Sequence, residues 1–212
     1  MKFGGSSVAN AQNINKVIAI VKEALKKDKT VVVSSAISGC TDTLIKIGHL
    51  ASQRDDSYNG LIDELQHKHH EIIRNFLPLE KQDESKEVCD SLFDSLRSIA
   101  QGVFLLGELS PTSLDAIQGF GELWSTKILA TKLASIGIAT KWIDSRKIIR
   151  TVAKGDKNIV DVQKTYSRIN EMVENNPITQ LFVLPGFIAS DKQDRTTTLG
   201  RGGSDYTASL YA

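Results

Sequence analysis

The sequence predicts an α/β fold built on a mainly parallel sheet, and three observations predict it. Continuous β-branched and apolar runs, Thr30–Ala36 and Gln180–Leu184, read as strands buried on both faces. Amphipathic helical stretches separate those runs. Small polar or glycine-rich loops follow the strands: GGSS after Phe3, SSAISGCTD after Val33, GFIAS after Leu184 and GRGGSD after Leu199. With 212 residues, 41% hydrophobic and 24% charged, the chain suits one large domain or two small ones with a substantial core.

Met1-Lys2-Phe3 is a short strand end running into Gly4-Gly5-Ser6-Ser7. Ile14, Val17, Ile18, Val21 and Leu25 then mark one apolar stripe of a helix, whose end carries Lys26, Lys27 and Lys29. After the strand Thr30–Ala36, the loop Ile37–Asp42 leads to a helix marked by Leu44, Ile45, Ile47 and Leu50, with Thr41 or Asp42 as the expected cap. Residues 56–135 change character and read as a helical insertion. One helix runs through Leu61, Ile62, Leu65, His69, Ile72, Ile73 and Phe76 and stops at Pro78. The polar segment Glu80–Glu87 leads into a second, from Val88 to Leu106. A third starts at Ser110-Pro111 and continues to Leu133.

Gly137 closes that helix, and Ile138–Ile143 reads as a strand, followed by a short helix over Lys147–Arg150. Gly155–Asn158 is a turn. Asp161–Asn175 is helical and ends at Asn176-Pro177. The strand at Gln180 then leads through Pro185-Gly186 to Phe187–Ser190, and a polar turn enters Thr196-Thr197-Thr198-Leu199. There, strand propensity gives way to Gly200, Gly202 and Gly203, with Ser204-Asp205 as a plausible cap for a last helix.

Bulk properties exclude several classes. A formal net charge of +1 gives no electrostatic basis for nucleic-acid or membrane-surface binding. No apolar run reaches the roughly 18 residues of a membrane helix, and the N-terminus has no signal-peptide core. The two cysteines, Cys40 and Cys89, have no paired spacing and read as reduced thiols of a cytoplasmic protein. Glu64, His67 and Glu71 share a helix face, but no further cluster completes a metal site, so the expected metal-ligand set is none.

Loops at the carboxyl ends of parallel strands gather in one crevice, where ligands bind. Two such loops here are glycine-rich and lead into helices, whose N–H groups and dipoles favour anions, so the crevice would suit a nucleoside triphosphate. Lys2 supplies a point charge for phosphate, and Arg201 a bidentate fork for carboxylate or phosphate. Neither G-x-x-x-x-G-K-[ST] nor G-x-G-x-x-G after the first strand is present, which disfavours P-loop and Rossmann sites.

KFGGSSV (Lys2–Val8), GFGE (Gly119–Glu122) and TTTLGRGGSDYTA (Thr196–Ala208) together resemble the aspartokinases of the amino-acid kinase family. LLGELSPTSLDAIQGFGELWS looks most like the same part of bifunctional aspartokinase–homoserine dehydrogenases. The resemblance runs from Lys2 to Ala212. It implies a three-layer αβα sandwich and ATP- and Mg²⁺-dependent phosphorylation of the L-aspartate side-chain carboxylate, the first step toward lysine, threonine and methionine. It implies that Lys2 neutralises phosphate charge, while Gly4, Gly5 and Ser6, with Gly202 and Gly203, line the phosphates. Arg201 and Ser204 would hold aspartate, and Thr41 would contact it. Glu122 would receive the α-ammonium group or order the lysine and arginine charges. Asp205 would organise Lys2 and the helix start, or help to hold Mg²⁺.

The first motif has Ser6 where the family more usually has threonine, which keeps the hydroxyl. A segment resembling W-T-D-V-x-G-[IV]-Y-x-x-D-P-R, which serves the nucleotide in this family, does not occur in these 212 residues. The expectation is therefore the N-terminal, substrate-side portion of a kinase domain. Other readings are another amino-acid kinase, acting on glutamate or a carbamate, or a non-catalytic binding module of the same fold. No nucleic-acid or membrane partner is expected, and a homo-oligomer is compatible with the full-length enzyme.

Overall fold

The computed structural model describes every residue except Asp156, and the side chains of Ala11 and Lys157 are also outside the description. The described elements run β1 (Lys2–Phe3), α1 (Ala11–Leu25), β2 (Thr30–Ser34), α2 (Cys40–Ser52), α3 (Tyr58–Phe76), α4 (Leu79–Leu106), α5 (Pro111–Gln118) and α6 (Phe120–Ser135). They continue with β3 (Thr140–Trp142), α7 (Ser145–Ile148), β4 (Thr151–Lys154), β5 (Lys157–Val160), α8 (Val162–Glu174), β6 (Leu181–Pro185), β7 (Ile188–Ser190), β8 (Thr196–Thr198) and α9 (Gly203–Leu210).

Four strands form one parallel sheet in the order β1-β2-β6-β3. Its central strands, TVVVS and LFVLP, are buried almost throughout. Side chains alternate across the pleat, and each face feeds its own core. Phe3, Val32, Leu181 and Val183 pack with α1, α2 and α6 on one side. Phe182 and Leu184 pack with Ile148 of α7, Met172 of α8 and Tyr211 just after α9 on the other. Helices on both faces of a parallel sheet make three layers, as the sequence predicts.

The helical stretch is present as expected, with two adjustments. Glu80–Glu87 is no connector: it forms the first turns of the 28-residue α4, which starts directly after Pro78. Its charged residues are satisfied by solvent and by i,i+3 pairs such as Lys81–Glu84, 3.1 Å apart, so polarity did not end the helix. The single helix expected from Ser110 is two, α5 and α6, meeting at Gly119. A Cβ on Gly119 would lie 3.2 Å from Ile188 Cγ2 and 3.4 Å from Thr196 Cγ2, so the corner presses against the β7–β8 hairpin. Phe93 stacks on Trp124 with ring centroids 4.0 Å apart, fastening α4 to α6, which packs on the sheet.

The caps also differ from expectation. α2 is preceded by Gly39 at φ 81°, and Thr41 and Asp42 lie inside its first turn. The chain reaches α2 through a left-handed residue, which glycine adopts without a Cβ penalty, and no side chain caps it. α9 is preceded by Gly202 at φ 77° for the same reason, so Ser204 and Asp205 are first-turn residues and not caps. The short helix expected at Lys147–Arg150 begins earlier, at Ser145, where Asp144 accepts from the Arg146 N–H. The turn at Gly155–Asn158 falls partly on Asp156, outside the described residues; β4 and β5 on either side pair antiparallel.

Candidate active site

Strand register assembles the site. Phe3 lies opposite Ser34, and Ser34 opposite Pro185, so β1, β2 and β6 end level. Their following loops, Gly4–Asn10, Ser35–Gly39 and Gly186–Phe187, therefore emerge side by side at one edge of the sheet. The threonine run reaches this edge by another route. β8 is no member of the parallel sheet; it pairs antiparallel with β7, and the hairpin returns the chain to Gly186–Phe187. Leu199 N–H donates to Phe187 O at 2.8 Å, closing the return. Phe187 itself has φ 67°, a left-handed conformation uncommon for a bulky residue. It is held there from both sides, since its own N–H donates to Thr207 Oγ1 at 3.1 Å.

Close packing then locks α9 onto the loops. Ser35 Oγ donates to Ser204 Oγ at 2.9 Å. A Cβ on Gly186 would meet Ser204 Cβ and Oγ at 2.7 Å, and one on Gly203 would meet Phe187 Cδ2 at 2.9 Å. Only glycine allows α9 to approach so near. Lys2 Nζ pairs with Asp205 Oδ1 at 3.1 Å, joining the first strand to the last helix. Lys2 is largely shielded and Asp205 mostly exposed, so this contact positions the ammonium without withdrawing it from solvent. Asp205 also complements the positive end of the α9 dipole.

The opposite wall is dry. A Cβ on Gly5 would lie 2.6 Å from Ala36 O and 3.0 Å from Ser38 N, so the first loop runs directly against the second. Glu122, in the first turn of α6, is buried behind them at 3% exposure. Its Oε1 accepts from Ala36 N–H at 3.1 Å, while Oε2 is buried without a hydrogen-bond partner. Burial pushes the Glu122 carboxyl up to about 8, partly offset by the hydrogen bond from Ala36. Ser125, one turn on, donates to Ser35 O at 2.8 Å and ties the same helix to the same loop.

The glycine loop at Leu199–Gly202 forms the open wall. Gly200 (φ 70°) and Gly202 (φ 77°) would meet nothing within 4 Å if given a Cβ, so conformation and not space calls for glycine. Arg201 between them is exposed and enters no ion pair among the described residues.

The predicted residues thus fall into three groups. Lys2, Gly4, Gly5, Ser204, Asp205 and Gly203 meet at the level strand ends. Ser6 is exposed on the first loop, and Arg201 and Gly202 stand on the open wall. Thr41 is half-buried in the first turn of α2, and Glu122 is buried behind the second loop. Glu122 pairs with neither Lys2 nor Arg201; Lys2 is ordered by Asp205 instead. Sequence reasoning missed Ser35, Gly186 and Phe187. Only Ser35 carried a signal, as a second hydroxyl beside Ser34 at a strand end; the others owe their importance to contacts across the chain. No group of three or more His, Cys, Asp or Glu residues that could hold a metal ion exists among the described residues. At α3, His69 is buried with Nδ1 donating to Leu65 O at 2.7 Å, and His67 Nε2 lies 3.6 Å from Glu71 Oε1.

Known proteins resemble this chain in sequence and share its fold. The chain is 31% identical over 211 residues to bifunctional aspartokinase/homoserine dehydrogenase 2, chloroplastic, of Arabidopsis thaliana, covering 99% of this chain and 23% of that protein. It is 31% identical over 224 residues to lysine-sensitive aspartokinase 3 of Escherichia coli, covering 100% of this chain and 45% of the relative. The crystal structure of E. coli aspartokinase III in complex with aspartate and ADP superposes with a TM-score of 0.87 at 28% identity, over all of this chain and 45% of that one. The chain thus spans less than half the length of these relatives. No helix among the described residues is long and apolar enough to cross a membrane. A model of the amino acid kinase family matches residues 1–212, and the chain belongs to that family.

Proposed function

We propose that this chain carries the substrate and phosphate side of an aspartate kinase, which transfers the γ-phosphoryl group of ATP to the side-chain carboxylate of L-aspartate. One observation carries the reading: the Lys2–Asp205 contact at 3.1 Å, which brings the first glycine loop and the start of α9 together at the level strand ends. The aspartokinase names of the relatives, and the aspartate and ADP bound in the E. coli structure, support the choice of substrates.

The nucleophile in this reaction is a carboxylate, ionised at neutral pH, so no side chain has to remove a proton from it. Catalysis then reduces to positioning and charge neutralisation around the transferring group. Lys2 Nζ, held by Asp205 beside Gly4, balances phosphate charge. The backbone of Gly4, Gly5 and Ser6, with Gly202 and Gly203 at the α9 start, approaches the phosphates from two sides. Arg201, exposed and in no ion pair among the described residues, offers its planar fork to a carboxylate of aspartate, with Ser204 and Thr41 as further contacts to that substrate. Glu122 answers the substrate ammonium: an adjacent cation would lower its raised pKa and ionise it. Asp205 fits a role as a lone carboxylate toward Mg²⁺, an ion commonly held by one or two carboxylates with substrate phosphates and water. Such an ion would supply further neutralisation of phosphate charge. The buried free thiols Cys40 and Cys89 suit a reducing compartment, and the cytoplasm is the location proposed.

Calorimetric titration with aspartate and with glutamate, alongside a coupled assay of ADP release, tests the reading. Aspartate should bind in preference to glutamate, and Arg201→Ala should weaken it by about 2 kcal/mol, roughly thirtyfold, at an unchanged melting temperature. Equal affinity of wild type and variant would remove Arg201 as the substrate clamp. Preference for glutamate would move the chain to another amino-acid kinase.

A further inference from the structure

α5 has no predicted role in the site, yet it joins the two walls. At its middle, Asp115 is half-buried and faces β8. Its Oδ1 accepts from Thr198 Oγ1 at 2.8 Å and its Oδ2 accepts from Thr198 N–H at 3.2 Å. Thr198 is the last residue of β8, and the glycine loop bearing Arg201 begins directly after it. At the other end of α5, Gly119 rests on Ile188 and Thr196 of the same hairpin, and the next helix carries Glu122 in its first turn. One short helix is therefore fixed to the root of the open wall and is continuous with the buried acid of the closed wall.

The chemistry of the contact is selective. Both of the Thr198 groups are donors, and a carboxylate offers an acceptor to each. An asparagine would keep both contacts only by turning the Thr198 hydroxyl into an acceptor of its N–H₂, whereas an alanine leaves the Thr198 N–H without its acceptor. The ladder gives this donor no partner: Leu199 N–H donates to Phe187 O, so Ile188 and Thr198 face each other as a non-hydrogen-bonded pair and the Thr198 N–H points away from β7.

We propose that Asp115 is a positioning residue, which sets the distance between Arg201 and Glu122 by tying the glycine loop to the helix pair α5–α6. It touches no substrate. Resting on the aspartate kinase reading, it would fix the spacing at which the site accepts the carboxylate and ammonium ends of an amino acid, and so the chain length of that substrate.

The test is Asp115→Ala, which removes both acceptors, in the whole 212-residue chain, read in two ways. Hydrogen exchange without ligand should show about tenfold faster exchange over residues 198–205, while the amides of β2 and β6 keep their protection. Calorimetry should show aspartate affinity falling about tenfold and discrimination against glutamate narrowing, with Asp115→Glu restoring part of both. Unchanged exchange over 198–205 overturns the positioning role whatever the chain binds. Faster exchange with unaltered aspartate affinity and selectivity overturns the link to substrate length. A wild-type chain that binds no aspartate refutes the kinase reading instead, and the exchange result still decides on the tether. Should Asp115→Ala fail to fold, Thr198→Val removes one of the two donors, with about threefold effects expected in the same measurements.

Discussion

The two walls of the site use glycine for opposite reasons. On the closed wall, Gly5 has ordinary dihedrals but no room, with Ala36 O where a Cβ would stand. On the open wall, Gly200 and Gly202 have ample room but left-handed dihedrals. The closed wall is therefore set by packing, and it buries a carboxyl; the open wall is set by backbone conformation, and it exposes a guanidinium. This division keeps a titratable carboxyl in a fixed, dry place and leaves the guanidinium exposed to solvent. The same residue type thus reports two constraints, and only the surroundings separate them.

Breaking the comparison on the dry side should produce the largest effect. Glu122 has its pKa raised to about 8 in the fold from an ordinary value of 4.5. Between those values the folded chain holds a proton that the unfolded chain releases, so stability present below pH 4.5 is lost as pH rises through 8. The full change is on the order of 5 kcal/mol. Urea melts of the ligand-free chain from pH 5 to 9 should show this decline, and Glu122→Gln should flatten it. A wild-type profile already flat over that range would mean that Glu122 is ionised in the fold and the wall is not dry.

Gly5→Ala attacks the same wall through volume. The obstructing atoms are backbone on a neighbouring loop, unable to rotate aside, so a loss of about 2–3 kcal/mol is expected, toward the upper end of overpacking costs. Denaturant melts would measure it, and a loss below about 0.5 kcal/mol would show that the two loops separate easily. The smallest effect belongs to the open wall. Gly202→Ala meets no atom within 4 Å and incurs only the left-handed backbone penalty, about 1 kcal/mol. If Gly202→Ala proved as damaging as Gly5→Ala, the open wall would be packed against something, and the contrast would fail.

Much of this was legible beforehand because it is local. The runs TVVVS and LFVLP carry their own burial signal, and the amphipathic spacing of α1 and α3 repeats within a few turns. The glycine loop before α9 announced itself through composition. Expectations failed where a local cue had two readings. The charges of Glu80–Glu87 suit a connector or an exposed helix face, and only the exposed position of α4 chose the second. Hydroxyl and acidic residues at Thr41, Asp42, Ser204 and Asp205 resemble caps, but the left-handed glycines just before α2 and α9 moved those residues into the first turn.

The sequence by itself determined the family and the parallel core strands, and it supplied the residue types of the candidate site, since each lies in a contiguous run of a few residues. Tertiary structure alone decided which residues face one another. It put β8 in a separate hairpin, matched Lys2 with Asp205, buried Glu122 behind Ala36 and fastened Asp115 to Thr198. Those pairings depend on strand register and on close approach at Gly5, Gly186 and Gly203, distances fixed by the packing of remote segments and encoded in no single stretch of chain.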